Sequence, residues 1–189
     1  MVEHWDSVVN LFEGLSYILK DVDKNGLDLF FTISRLHAES EKHTSALVTM
    51  VEKRKPTDRN AKTEINFRLT HILDKYKAKL DDNSWWTKKP KPLSLYILTN
   101  GIWEDECRPE IPIMNTVRKL EDLRKDREQI GIQFISFGND PKGLERLRHL
   151  DDDITEQLNL TQSVMSLPLL LTIRTDFGYQ RHCGHDSFA

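Results

Sequence analysis

The chain has 189 residues, of which 38% are hydrophobic and 30% charged, a balance that suits one globular domain with a real core and excludes a disordered chain. A net charge of −3 supplies no overall attraction to nucleic acid or to an anionic membrane. No apolar run nears the roughly 20 residues of a membrane helix, and Glu3, His4 and Asp6 stand where a signal peptide needs a basic start, so a cytoplasmic chain without a nucleic-acid or membrane partner is expected.

Trp5, Val8, Val9, Phe12, Leu15 and Leu19 recur at three- and four-residue steps and predict a helix over 4–20. The turn-forming run Asp21-Val22-Asp23-Lys24-Asn25-Gly26 ends it, and Leu27 to Ile33 reads as a strand buried on both faces. Thr44 is placed to cap a short helix with Leu47, Val48 and Val51 inward, ending before Pro56. A longer helix over 63–80 carries Ile65, Leu69, Ile72, Leu73, Tyr76 and Leu80 on one face. After a lysine-rich connector, Leu93 to Leu98 is a second buried strand, stopped by Thr99-Asn100-Gly101.

A charged amphipathic helix is predicted over 112–128, a third strand over 130–137, and a last helix opened by Asp140-Pro141 with Leu144, Leu147 and Leu150 inward. Strands alternating with amphipathic helices imply a mainly parallel, doubly wound sheet with helices on both faces. Beyond about residue 160 the periodicity is poor.

Several clusters have both a chemical and a plainer reading. Asp21, Asp23, Asn25 and Gly26 copy the first half of a calcium loop, but Thr32 stands where the bidentate glutamate belongs; a helix-to-strand turn explains them better. Trp85-Trp86-Thr87-Lys88-Lys89-Pro90-Lys91 mixes aromatics with base, yet suits a connector that covers a helix end. His182, Cys183, His185 and Asp186 are zinc-ligand types with no distant pair to close a loop. Glu104, Asp105 and Glu106 beside Asn100 form an acidic run that is either a solvated loop or the source of one carboxylate for an ion. Cys107 and Cys183 are the only cysteines, too few for a disulfide scaffold. A nucleophile elbow, a phosphate loop and a dinucleotide fingerprint are all absent from the sequence.

Asp23-Lys24-Asn25-Gly26-Leu27-Asp28-Leu29, Thr63-Glu64-Ile65 with its helix, Lys91-Pro92-Leu93 through Leu98-Thr99-Asn100-Gly101, and Gln129 to Phe134 followed by Gly138-Asn139-Asp140 and Leu150 to Asp153 occur in this order. Together, over about residues 4 to 155, they resemble the fungal von Willebrand factor type A domain proteins. The resemblance implies a Rossmann-like fold of that type without its first strand over 1–160, and a divergent tail over 161–189. Such domains bind a divalent cation through an Asp-x-Ser-x-Ser loop, a threonine and an aspartate at the carboxyl ends of the strands. Here the threonine is Thr63, the aspartate is replaced by Asn100, and the Asp-x-Ser-x-Ser loop is missing. Thr63 and Asn100 are therefore the remnant metal ligands. No cofactor is expected, Mg²⁺ entering only if the missing loop is supplied.

The function expected is a non-catalytic protein-interaction module with a degenerate metal-ion-dependent adhesion site and a protein partner. The alternatives are a Rossmann-like enzyme, since fold alone does not fix chemistry, or a truncated gene product without independent activity. If the first strand is absent, the strands at 27–33 and 93–98 either pair directly or leave the sheet incomplete.

Overall fold

A computed structural model describes residues 1–57, 63–81, 89–161 and 170–174. Helix α1 (Trp5–Val22) turns Trp5 and Val8 fully inward, with Val9, Leu11, Phe12 and Leu15 half-buried around them. Its end is a sharp turn. Asp23 accepts the Asn25 backbone N–H at 3.0 Å, and Gly26 follows at φ +99°. A Cβ at Gly26 would lie 2.5 Å from the Ser40 carbonyl carbon, so both the turn and the neighbouring backbone require glycine.

The chain then forms a hairpin of β1 (Leu27–Phe30) and β2 (His37–Glu41), antiparallel, with Leu29 opposite Ala38 and Phe30 opposite His37. This corrects two expectations. The first strand stops at Phe30 rather than Ile33, and its partner is a segment with no apolar run. The cause lies in the carbonyls beyond Phe30. Those of Phe31 and Ser34 accept the Arg68 guanidinium at 3.0 and 2.6 Å, and that of Thr32 accepts the Glu64 N–H at 2.8 Å, so their backbone serves a helix instead of a ladder.

Helix α2 (Thr44–Glu52) buries Leu47 and Val51. Thr44 is its first residue rather than its cap; the flanking position falls to His43, whose N–H is held by the Glu41 carboxylate at 2.8 Å. Helix α3 (Ile65–Asp81) buries Ile65, Leu69, Leu73, Tyr76 and Leu80 on the face read from the sequence.

Three strands form a second, wholly parallel sheet in the order β3 (Leu93–Thr99), β4 (Ile130–Ser136), β5 (Leu170–Arg174). Leu93 pairs with Ile130 through to Thr99 with Ser136, and Ile132 pairs with Leu170 through to Ser136 with Arg174. β5 comes from the segment after 161, where the sequence shows no clear period. β1 is not in this sheet: among the described residues the 27–30 strand pairs only with β2, and the direct pairing of 27–33 with 93–98 does not occur.

The side chains of β3 and β4 sort by twos. Leu93, Leu95, Ile97, Ile130, Ile132 and Phe134 face a core shared with α3, α4 (Glu110–Asp122) and α5 (Pro141–Thr161). Tyr96, Leu98 and Ile135, with Phe137 just past the end of β4, face a second core shared with α1, α2 and the hairpin. The molecule is thus a mixed α/β structure with helices on both faces of its parallel sheet. α5 opens where Asp140-Pro141 places it, with the Asp140 carboxylate taking the Lys142 and Gly143 N–H groups at 2.9 and 3.1 Å.

Helix α4 ends at Asp122, not at the expected 128. The Arg124 N–H reaches the Glu121 carbonyl and the Lys125 N–H the Leu120 carbonyl, both at 2.9 Å, with Arg124 at φ +50°. This pair of bonds around a left-handed residue is the usual glycine stop signal, made here with arginine and so invisible in the sequence. A side chain in that conformation costs about 1 kcal/mol. Arg124→Gly is therefore expected to stabilise the chain by roughly 0.5–1 kcal/mol, read as a higher urea midpoint at unchanged slope; a fall in the midpoint would show that the Arg124 side chain makes a stabilising contact of its own.

Candidate functional site at the carboxyl end of β3

Past Thr99 the backbone turns sharply. The Thr99 hydroxyl accepts the Gly101 N–H at 3.1 Å, and the Asn100 side-chain oxygen accepts the Ile102 N–H at 3.3 Å. Gly101, at φ +72°, lies with its backbone directly against Gly143 at the start of α5, leaving no room for a Cβ on either residue. The loop that follows is pinned from α5 by Arg146, which donates to the Trp103 carbonyl and to the Asp105 carboxylate and stacks 5.9 Å over the buried Trp103 ring.

The same loop reaches across to the residue that precedes α3. Glu104 accepts the Thr63 N–H on one carboxylate oxygen and the Thr63 hydroxyl on the other, both at 2.9 Å. The Cys107 thiol points at the same carboxylate, 3.7 Å from it. Burial pushes the Glu104 carboxyl up. The hydrogen bonds from its own backbone N–H, from the Thr63 hydroxyl and N–H, and from Cys107 outweigh that and hold it below its ordinary value. Burial, joined by the adjacent Glu104 charge, pushes the Cys107 thiol up.

Thr63 and Asn100 are thus both tied to the 100–107 loop, Asn100 as its second corner and Thr63 through Glu104. The atoms each could offer an ion are already engaged: the Thr63 hydroxyl by a carboxylate, the Asn100 oxygen by its own loop. The acidic run does not act as a unit, because Glu104 turns to Thr63 and Asp105 to Arg146. Among the described residues no group of three or more His, Cys, Asp or Glu side chains could hold a metal. The sequence does not announce the Thr63–Glu104 contact. Its one signal is an acidic run beside a turn.

The other clusters resolve as follows. Asp23 is held below its ordinary value by the Asn25 N–H and then by Lys91, 2.9 Å away, which makes the calcium-like run a capped turn. Trp85 and Trp86, and the tail from His182 to Asp186, lie outside the described residues. On the far side of α3, His37 stacks on Phe30 at 5.6 Å and His71 on Phe67 at 6.4 Å, beside an open depression lined by Phe67, Thr70, His71, Asp74 and Lys75. No helix among the described residues is long and apolar enough to cross a membrane. Comparisons with protein-family models, with curated proteins and with solved structures found no match.

Because the folded-state Glu104 carboxyl sits below its ordinary value of 4.5, its contribution to stability is complete above that value and is lost as the pH falls through it and then through the lower folded value. Glu104→Gln is expected to flatten the acid limb of stability as the pH falls through the ordinary glutamate value of 4.5 and below it, measured by urea unfolding across the acid range; an unchanged slope would remove Glu104 from the account. In a Cys183→Ser background the same substitution should speed alkylation of Cys107 at pH 8, because it removes the negative charge that opposes the thiolate.

Proposed function

We propose that the chain is a cytoplasmic, non-catalytic protein-interaction module of the von Willebrand factor type A kind, with a degenerate metal-ion-dependent adhesion site. In this reading the hairpin and the parallel sheet are two parts of one doubly wound, Rossmann-like arrangement, interrupted between β1 and β3. Helices on both faces support it, as does the position of Asn100 just past the carboxyl end of β3, where open α/β sheets take their ligands, with Thr63 of the α2–α3 connection held against the same loop by Glu104. The absence from the sequence of a nucleophile elbow, a phosphate loop and a dinucleotide fingerprint speaks against the enzyme alternative.

The observation that carries the degenerate-site reading is the grip of Glu104 on Thr63. Mg²⁺ gives up its waters reluctantly and wants near-octahedral oxygen ligands. A hydroxyl already donating to a carboxylate, and a neutral amide where the family has an aspartate, offer poor compensation. Mg²⁺ would enter only with a further loop of the Asp-x-Ser-x-Ser form. Calorimetric titration of the chain with Mg²⁺ or Mn²⁺ is expected to give no saturable heat below the millimolar range, the weak end of protein cation sites (about 10⁻⁴–10⁻³ M for extracellular modules). Tight one-to-one binding that disappears in Thr63→Ala would overturn the reading.

A further inference from the structure

We propose that Asn25 is a site of spontaneous deamidation and backbone isomerisation, and that the fold withholds the same reaction from Asn100. The inference does not depend on the reading of the Thr63 site. Two asparagines of the chain precede glycine, in Asn25-Gly26 and Asn100-Gly101. At such a pair the glycine backbone nitrogen, with no Cβ beside it to hinder approach, attacks the asparagine side-chain carbonyl carbon. The new C–N bond closes a succinimide ring, the side-chain amide C–N bond breaks, and ammonia departs with the proton from the glycine N–H. Water then opens the ring. Opening at the side-chain carbonyl leaves aspartate, and opening at the main-chain carbonyl leaves isoaspartate, whose backbone is longer by one carbon. Water enters, ammonia leaves, and no oxidant or reductant takes part.

Ring closure turns the peptide plane between the two residues about the asparagine Cα–C bond, and the two sites differ in what opposes that turn. Asn25 is exposed at the tip of the α1–β1 turn, and no described residue hydrogen-bonds its side-chain amide. The bond from the Asn25 N–H to Asp23 lies outside the plane that must move. Only the Gly26 N–H holds that plane, through the Asp23 carbonyl at 3.3 Å. At the other pair Gly101 is buried and its N–H is held by the Thr99 hydroxyl at 3.1 Å. The Asn100 side-chain oxygen is held as well, by the Ile102 N–H at 3.3 Å. The Asn100 carbonyl oxygen fills the space where a Gly143 Cβ would lie, so the plane cannot swing without moving α5. The amide at the end of β3 therefore stays neutral as the chain ages, while a negative charge accumulates at residue 25.

The isoaspartate product does more than add charge. Gly26 is fixed against the Ser40 and Glu41 backbone, and the Asp23 oxygen that takes the Asn25 N–H also holds Lys91, two residues before β3. An extra backbone carbon between these two anchors forces one of them to give. The aspartate product leaves the chain length, and with it both anchors, in place.

The whole chain is aged in mildly alkaline buffer, folded and in urea, and peptides covering the two pairs are followed by mass spectrometry. In urea, where both are the same dipeptide, similar rates are expected. In the folded chain Asn25 should convert at least about tenfold faster than Asn100, which must break one more hydrogen bond and displace packed backbone. Equal rates in the folded chain, a faster loss at Asn100, or no loss at Asn25 overturns the proposal. Aged folded chain should accept methyl label from an isoaspartyl carboxyl methyltransferase, and Asn25→Gln, whose longer side chain closes a ring far more slowly, should take almost none; equal labelling of the two would place the isomerised residue elsewhere. The labelled fraction is expected to melt at least roughly 2 °C below fresh chain, and Asn25→Asp, with the charge but not the extra carbon, less far below it. Asn25→Asp melting as low as the labelled fraction would overturn the part played by the lengthened backbone.

Discussion

The architecture depends on one buried cation. Arg68 is 7% exposed and sits in the first turn of α3, where its guanidinium holds the carbonyls of Phe31 and Ser34 and lies 5.7 Å from the Phe67 ring centroid. A charge taken from water is costly unless its donors are met, so the backbone at 31–34 must stay where the fork needs it. That requirement stops β1 at Phe30, bends the chain into a hairpin and fastens the hairpin to a helix whose other face builds the main core. On that side the hairpin is also joined to α3 by the Glu64–Thr32 backbone bond at 2.8 Å and the Lys75–Glu39 ion pair at 2.5 Å.

A second constraint operates at the carboxyl end of the parallel sheet. The Gly101–Gly143 backbone contact sets how closely the loop after β3 approaches α5. Arg146 then fixes the loop's direction by gripping Trp103 and Asp105, and that direction brings Glu104 to Thr63. The candidate site is therefore shaped by packing several residues away from it. Thr63 and Asn100 lie at the ends of this chain of contacts rather than at its origin.

Much of the fold was legible in the sequence because burial repeats with a period. The inward faces of α1 and α3 and the apolar runs of β3 and β4 follow directly from the sequence, though β3 is half-buried where burial on both faces was expected. What escaped has no periodic mark. β2 is a polar hairpin arm in which only Ala38 and Glu41 are even partly buried, and β5 is a five-residue apolar run too short to show a period. The end of α4 uses Arg124 where a glycine would have given it away. At the site, Thr63 and Asn100 could be picked out, but the pairing of Thr63 with Glu104 joins residues 41 apart in the chain, a separation at which spacing carries no information.

The two sheets also differ in how far the chain must travel to make them. β1 meets β2 across a single short loop, so that pairing is cheap in closure entropy and quick to form. β3 reaches β4 only after the chain has passed through the whole of α4, and β4 reaches β5 only after α5. Parallel pairings between such distant segments raise contact order and slow folding. The hairpin is thus positioned to exist early, as a local unit awaiting α3, while the apolar strands that form the main core remain unpaired for longer.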